Sequence, residues 1–247
     1  MWQSVSVIIA GLVVIFFAGL IQGLTGFGFA LVAVPIMTLF LSPKEVVPVV
    51  LIHAILIVAV ILYEARKWVD LRRIWPLMIA GIVGIPLGTY LLIFLQEGTL
   101  KILIGSVIVV FALAFLKGFR KQIKAEKLAF APVGFISGLL AGSTMMGGPP
   151  VILFFTNQGL SKNVFRANIV LYFTAVSLAA IPAYVAGGLI TKEVVKDAVL
   201  LLPALIAGGL TGIRLARAVQ EQLFEKIVLI ILIVAGLMSI ASGFGLW

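Results

Sequence analysis

The chain contains no cysteine, so it can form neither a disulfide nor a thiolate metal site. It has a single histidine, His53, and only nine acids against eighteen Lys and Arg. The acids are Glu45, Glu64, Asp70, Glu97, Glu126, Glu193, Asp197, Glu221 and Glu225, and all fall in loops or at the ends of apolar runs. No carboxylate pair is left inside an apolar run for acid–base chemistry or metal binding. The usual Asp/Glu proton relay of membrane pumps is missing as well. An enzyme is therefore not expected, and neither is a metal or cofactor. The first basic residue is Lys44, so the N-terminal stretch has no basic n-region. It reads as a retained membrane segment rather than a cleaved signal.

What is present is apolar. Hydrophobic residues make up 63% of the 247 and charged ones 11%, with a mean hydropathy of +1.28. A soluble domain is about half apolar and about a quarter charged. The composition fits an all-α polytopic membrane protein, one transmembrane domain over residues 1–247 without room for a sizeable extramembrane part. The formal charge of +9 would suggest nucleic acid in a soluble chain. Here it is read as loop charge that sets orientation, so the expected surroundings are membrane lipid and nucleic acid is not a partner. A homodimer is compatible with the sequence.

Two stretches interrupt the apolar runs. Residues 142–150 read Gly-Ser-Thr-Met-Met-Gly-Gly-Pro-Pro inside an uncharged run from Leu128 to Ser161. Pro149 and Pro150 cannot continue a helix, and Gly147 and Gly148 allow angles that other residues avoid. Earlier, Gly23-Leu24-Thr25-Gly26-Phe27-Gly28 divides an uncharged run that reaches Pro43. Gly19, Gly23, Thr25 and Gly28 match Gly138, Gly142, Thr144 and Gly147 at one constant spacing. Two copies of one unit are expected, repeat 1 at about 4–117 and repeat 2 at about 128–247, joined by a basic linker, 118–127. Each has a broken or hairpin glycine-rich helix pair followed by three transmembrane helices. The expected arms are Ser4–Gln22 with Phe29–Leu41, and Leu128–Thr144 with Pro150–Gly159. A loop is expected at Lys192–Asp197. Gly81, Gly84, Gly88 and Gly208, Gly209, Gly212 supply small faces for close helix packing.

Charge bears on the topology. If each broken segment is a hairpin, each half crosses an odd number of times and the repeats are inverted. One face then holds only Lys44, Lys101, Lys192 and Lys196, and the other holds the remaining fourteen of the eighteen Lys and Arg. That asymmetry fits the positive-inside rule better than parallel halves do, and it places both termini outside.

Gly142–Pro150 with Val151-Ile152-Leu153-Phe154-Phe155, the earlier Gly19…Gly23-x-x-Gly26-Phe27-Gly28 with Pro35, and Ser161–Tyr172 together resemble the TauE/SafE family of sulfite and organosulfonate exporters. The resemblance covers essentially the whole chain. It implies a duplicated transporter of the cell membrane for a small sulfur-containing anion, with export favoured. An anion channel using the same helix ends is the alternative.

Helix ends at a break carry free N–H groups and a positive dipole end suited to an anion. The candidate site therefore comprises Gln22, Gly23, Thr25, Gly26 and Gly28 from the first break, and Gly142, Ser143, Thr144, Gly147, Gly148 and Pro149 from the second. The plain alternative is that these groups only satisfy the broken backbone. Arg166 and Asn168 are added because Arg can pair with a sulfonate through two parallel bonds; a snorkelling Arg is the plain alternative. His53 is the candidate for proton coupling, against a simple bond to a neighbouring helix.

Overall fold

The computed structural model describes residues 4–117, 126–156, 158–215 and 221–246. Asn157, Arg217 and most of the basic linker lie outside them. Among the described residues the chain is helical, with no strand. The helices are α1 Val5–Thr25, α2 Phe29–Met37, α3 Pro43–Ala65, α4 Leu71–Phe94, α5 Glu97–Leu116, α6 Glu126–Thr144, α7 Gly148–Thr156, α8 Lys162–Ala186, α9 Lys192–Leu215 and α10 Glu221–Gly243, with a 3-10 turn at Arg66–Trp68. Six stretches are long and apolar enough to span a bilayer: α1, α3 with the 3-10 turn, α4, α5, Asn163–Ala186 of α8, and α9. The chain is a multi-pass membrane protein. At nine residues each, α2 and α7 reach only about half of the ~30 Å core.

Local signals explain the helix ends. Ser42 caps α3, its hydroxyl accepting from the Lys44 amide at 3.3 Å, and Pro43 takes the first turn, where its missing N–H costs nothing. The Asp70 carboxylate accepts from the Arg73 amide at the start of α4. The expected loop at Lys192–Asp197 is instead the first turns of α9. These charges sit at the end of a span, where long side chains reach water without breaking the helix.

Specific contacts fix the helix directions. Lys44 Nζ donates to Ile93 O at 2.6 Å, and Ser42 Oγ donates to Glu97 Oε1 at 2.6 Å. The start of α3, the end of α4 and the start of α5 thus share one end of the molecule. At the other end the Asp70 amide donates to Asn168 Oδ1 at 2.9 Å, which brings the starts of α4 and α8 together. Arg66, Lys67, Arg72, Arg73, Lys117, Arg166 and Arg214 lie toward this second end, here called the basic face.

The expected glycine faces join helices from opposite halves. Gly134, Gly138 and Gly142 of α6 step along Leu77, Gly81 and Ile85 of α4, so the two run parallel. Gly19 and Gly23 of α1 step along Leu205, Gly209 and Ile213 of α9 in the same way. A Cβ on Gly23 would lie 2.8 Å from the Ile213 amide, and one on Gly88 2.9 Å from the Ser143 amide. Real Cβ atoms do not approach backbone so closely, so these positions take only glycine. Without a hydrophobic drive between helices in lipid, such backbone approach is what binds them. The start of α5 also meets the end of α10, through Gly98 and Gly243. Exchanging the halves maps α1 on α9 onto α6 on α4, and leaves α3 on α8 and α5 on α10 in place. Corresponding helices run in opposite senses.

Candidate functional site

Both broken segments are hairpins. α1 ends because Gly26 takes a left-handed conformation, φ 85°, with its amide bonded to Gln22 O at 2.8 Å, a common helix-ending turn. Gly28, at φ 106°, then opens α2, which folds back beside α1. The second break repeats the pattern with Met145 in the left-handed position, φ 57°, its amide bonded to Ala141 O at 2.9 Å. The sequence suggested that Gly147 supplies this angle. It does not: its role is space, since a Cβ there would lie 2.6 Å from Ser137 O. Pro149 and Pro150 stand in the first turn of α7, which they initiate.

The hydroxyls at the breaks are already engaged. Thr25 Oγ1 has two carbonyls to donate to, Ile21 O at 2.9 Å and Phe27 O at 2.5 Å, and accepts from the Phe27 amide at 3.3 Å. Thr144 Oγ1 donates to Leu140 O at 2.7 Å and accepts from the Met146 amide at 3.3 Å. Ser143 donates to Leu139 O at 2.9 Å. A hydroxyl has one proton, so none of the three is left to donate to an anion. The rest of each break is tied differently. Gln22, 3% exposed, bridges the first break: its Nε2 donates to Gly26 O at 3.1 Å and its Oε1 accepts from the Phe29 amide at 2.9 Å. At the second break the Ser137 hydroxyl donates to Gly147 O, and the Tyr184 hydroxyl donates to Gly142 O at 2.9 Å.

The two hairpins meet at a cavity of about 50 Å³ beside the middle of α3 and α8. Gln22, Gly28 and Phe29 line it from one side, and Met145, Met146, Gly147 and Gly148 from the other. Ala54, Ile57 and Val58 of α3 and Tyr172, Phe173, Val176 and Ser177 of α8 complete the wall. Such a volume holds a few water-sized groups. No ionised side chain lines it. The first residues of α2 and α7 line it, so the positive ends of those two helix dipoles lie at its wall. Ala30 and Leu31 of the first turn of α2 also line it, whereas the prolines leave α7 fewer amides to offer.

Of the residues expected from the sequence, Gln22, Gly28, Gly147 and Gly148 therefore line the cavity. Gly23 and Gly142 lie in the helix–helix contacts. Thr25, Gly26, Ser143, Thr144 and Pro149 shape the breaks. Asn168 is fully buried, but its carbonyl accepts from Asp70 rather than facing the breaks. His53 is fully buried behind Phe29, ring edge to ring face at 6.1 Å between centroids. Its Nε2 meets Ala198 O at 2.8 Å, and a carbonyl only accepts, so Nε2 carries the proton; Nδ1 has no partner.

Arg166 borders a second, larger cavity of about 320 Å³ toward the basic face. Leu24, Thr25, Phe27, Phe115, Ile152, Phe155, Thr156, Leu160 and Phe165 share that wall, and Ile152 lines both cavities. Sequence reading missed Met145, Met146, Tyr172 and Ser177 as wall residues, and Ser137 and Tyr184 as ties. Only Tyr172, which is the counterpart of His53 at the spacing that matches Gly19 with Gly138, could have been flagged from the sequence.

Comparison with solved structures and with curated proteins finds no match. A family model, Sulfite exporter TauE/SafE, matches residues 11–239, a stretch that includes both helix breaks and every wall residue of both cavities. The chain belongs to the TauE/SafE sulfite exporter family of membrane transporters.

Proposed function

We propose that the protein carries sulfite, an organosulfonate or a related small sulfur-containing anion across the cell membrane by alternating access, with export the working direction. The observation that carries this reading is the convergence of two hairpin tips, from halves of opposite sense, on one cavity at mid-span. Inverted-repeat transporters commonly use discontinuous helices this way, their half-helix N-termini facing an anionic substrate. On this reading the two halves are inverted repeats and the basic face is cytoplasmic. The anion is held by the main-chain amides of Ala30 and Leu31, which follow the engaged Phe29 amide, and by those of Gly147 and Gly148. No fixed cation lies in the cavity to trap it, which favours release on the far side.

The test is flux of sulfite and of small sulfonates in proteoliposomes. Saturable uptake with counterflow, silenced by filling the cavity with Gly148→Leu, is the expected result. A Cβ at Gly148 already stands 3.1 Å from Ile152 Cδ1 and 3.3 Å from Phe173 Cζ. Unitary conductance far above carrier turnover would replace the carrier with a channel.

A further inference from the structure

The vestibule on the basic face has properties that the cavity between the breaks lacks. It contains a guanidinium, that of Arg166, whose Nε is buried without a hydrogen-bond partner. The arm of Arg166 lies against the first break: a Cβ on Gly26 would stand 3.1 Å from both its Cγ and its Nε. Gly26 thus serves twice, as a left-handed turn and as the bare backbone on which the arginine rests. The wall that Arg166 shares holds Phe27, Phe115, Phe155 and Phe165 beside Leu24, Ile152 and Leu160, with Thr25 and an exposed Thr156 as its other polar side chains. A charged head beside an apolar wall matches an oxyanion that carries hydrocarbon, and the vestibule has about six times the room of the inner cavity, 320 against 50 Å³.

The feature is also one-sided. At the spacing that matches Gly19 with Gly138, the counterpart of Arg166 is Val47 and that of Gly26 is Met145. Val47 is fully buried. The opposite half therefore has neither the cation nor the bare backbone at the equivalent place.

We propose that this vestibule is a second anion site, distinct from the cavity between the breaks, in which Arg166 holds the oxyanion head of an amphiphilic anion and the phenylalanines hold its short hydrocarbon chain. It loads from the basic face alone, and Ile152, common to both walls, stands between it and the inner cavity. Arg supplies two parallel donors to such a head, which Lys and Gln cannot.

Binding tests this without depending on transport, so it separates from the carrier reading. The detergent-solubilised protein is titrated with hexane-1-sulfonate and, separately, with sulfite, with melting temperature recorded for every variant. We expect hexane-1-sulfonate to bind wild type, Arg166→Gln to weaken it at least tenfold, and Arg166→Lys to recover part of the loss. Phe165→Ala should weaken hexane-1-sulfonate about fivefold and leave sulfite unchanged, which also serves if Arg166→Gln folds poorly. In oriented proteoliposomes, Arg166→Gln should raise KM for anion offered at the basic face more than KM for anion offered at the opposite face. The proposal is overturned by absent hexane-1-sulfonate binding in wild type, by equal affinity in Arg166→Gln, or by equal KM changes from both faces. It is also overturned if phosphatidylglycerol displaces hexane-1-sulfonate, for then the vestibule belongs to a lipid headgroup. Failure of flux with intact Arg166-dependent binding would remove the carrier reading and leave this site standing.

Discussion

At the first break the chain turns through Gly26 and Gly28, both at positive φ; at the second it turns through Met145, and after Met146, Gly147 and Gly148 come Pro149 and Pro150. The threonine geometry is nearly the same in both, from the i−4 carbonyl to the amide two residues on. A helix can thus be ended by one hydrogen-bonding pattern carried on different residues. What differs is stiffness. The first break is glycine-rich and is tied internally by one amide, Gln22, lying within its own hairpin. The second is followed by two rings with fixed φ and is bonded from α8 by Tyr184. The first hairpin is therefore the softer of the two, and its tip is the one that Arg166 touches.

Six substitutions bear on this contrast. The largest effect is expected from Gln22→Leu, which strands the buried Phe29 amide and Gly26 carbonyl and should lower stability by about 2–4 kcal/mol. Ala141→Gln at the matching place of the second break should supply no comparable gain. Unfolding of both variants in denaturant measures the difference. Gly26→Ala comes next. It forces a side chain into a left-handed position, at about 1–2 kcal/mol, and pushes on Arg166, so melting temperature and hexane-1-sulfonate affinity should fall together. A drop in stability alone would show that the arginine yields freely. Tyr184→Phe should cost about 1 kcal/mol, one net hydrogen bond, and should loosen the second hairpin. Faster amide exchange at Met145 and Met146, with no change at Gly26 and Phe27, is the expected reading. The smallest effects belong to Thr25→Val and Thr144→Val, each about 0.5–1.5 kcal/mol of stability. They should match one another and leave sulfite affinity alone, because the hydroxyl protons already serve main-chain carbonyls. Weakened sulfite binding with normal stability would return those hydroxyls to the substrate site.

Much of this arrangement was legible in the sequence. Glycine and proline marked both breaks, and the glycine triplets marked the helix contacts, because each signal is local in the chain. Side-chain direction was not legible. Arg166 and Asn168 were grouped as neighbours, yet two residues along a helix turn a side chain by roughly 200°. One therefore rests on the first break while the other meets Asp70. Tyr184 was passed over for the same kind of reason, since its partner carbonyl at Gly142 lies 42 residues away in the chain. The charges of Lys192–Asp197 suggested a loop because charge alone does not distinguish a loop from the wet end of a helix.

The glycine contact between α1 and α9 has a consequence for how the protein is made. α1 is synthesised first, but the helix that fits its bare backbone begins only at Lys192. At ~5–20 residues per second, the ribosome needs on the order of ten seconds to supply it. Throughout that interval Gly19 and Gly23 face lipid or a provisional neighbour. The α4 and α6 pair closes much sooner, so the second hairpin is seated while the first still waits for the last third of the chain.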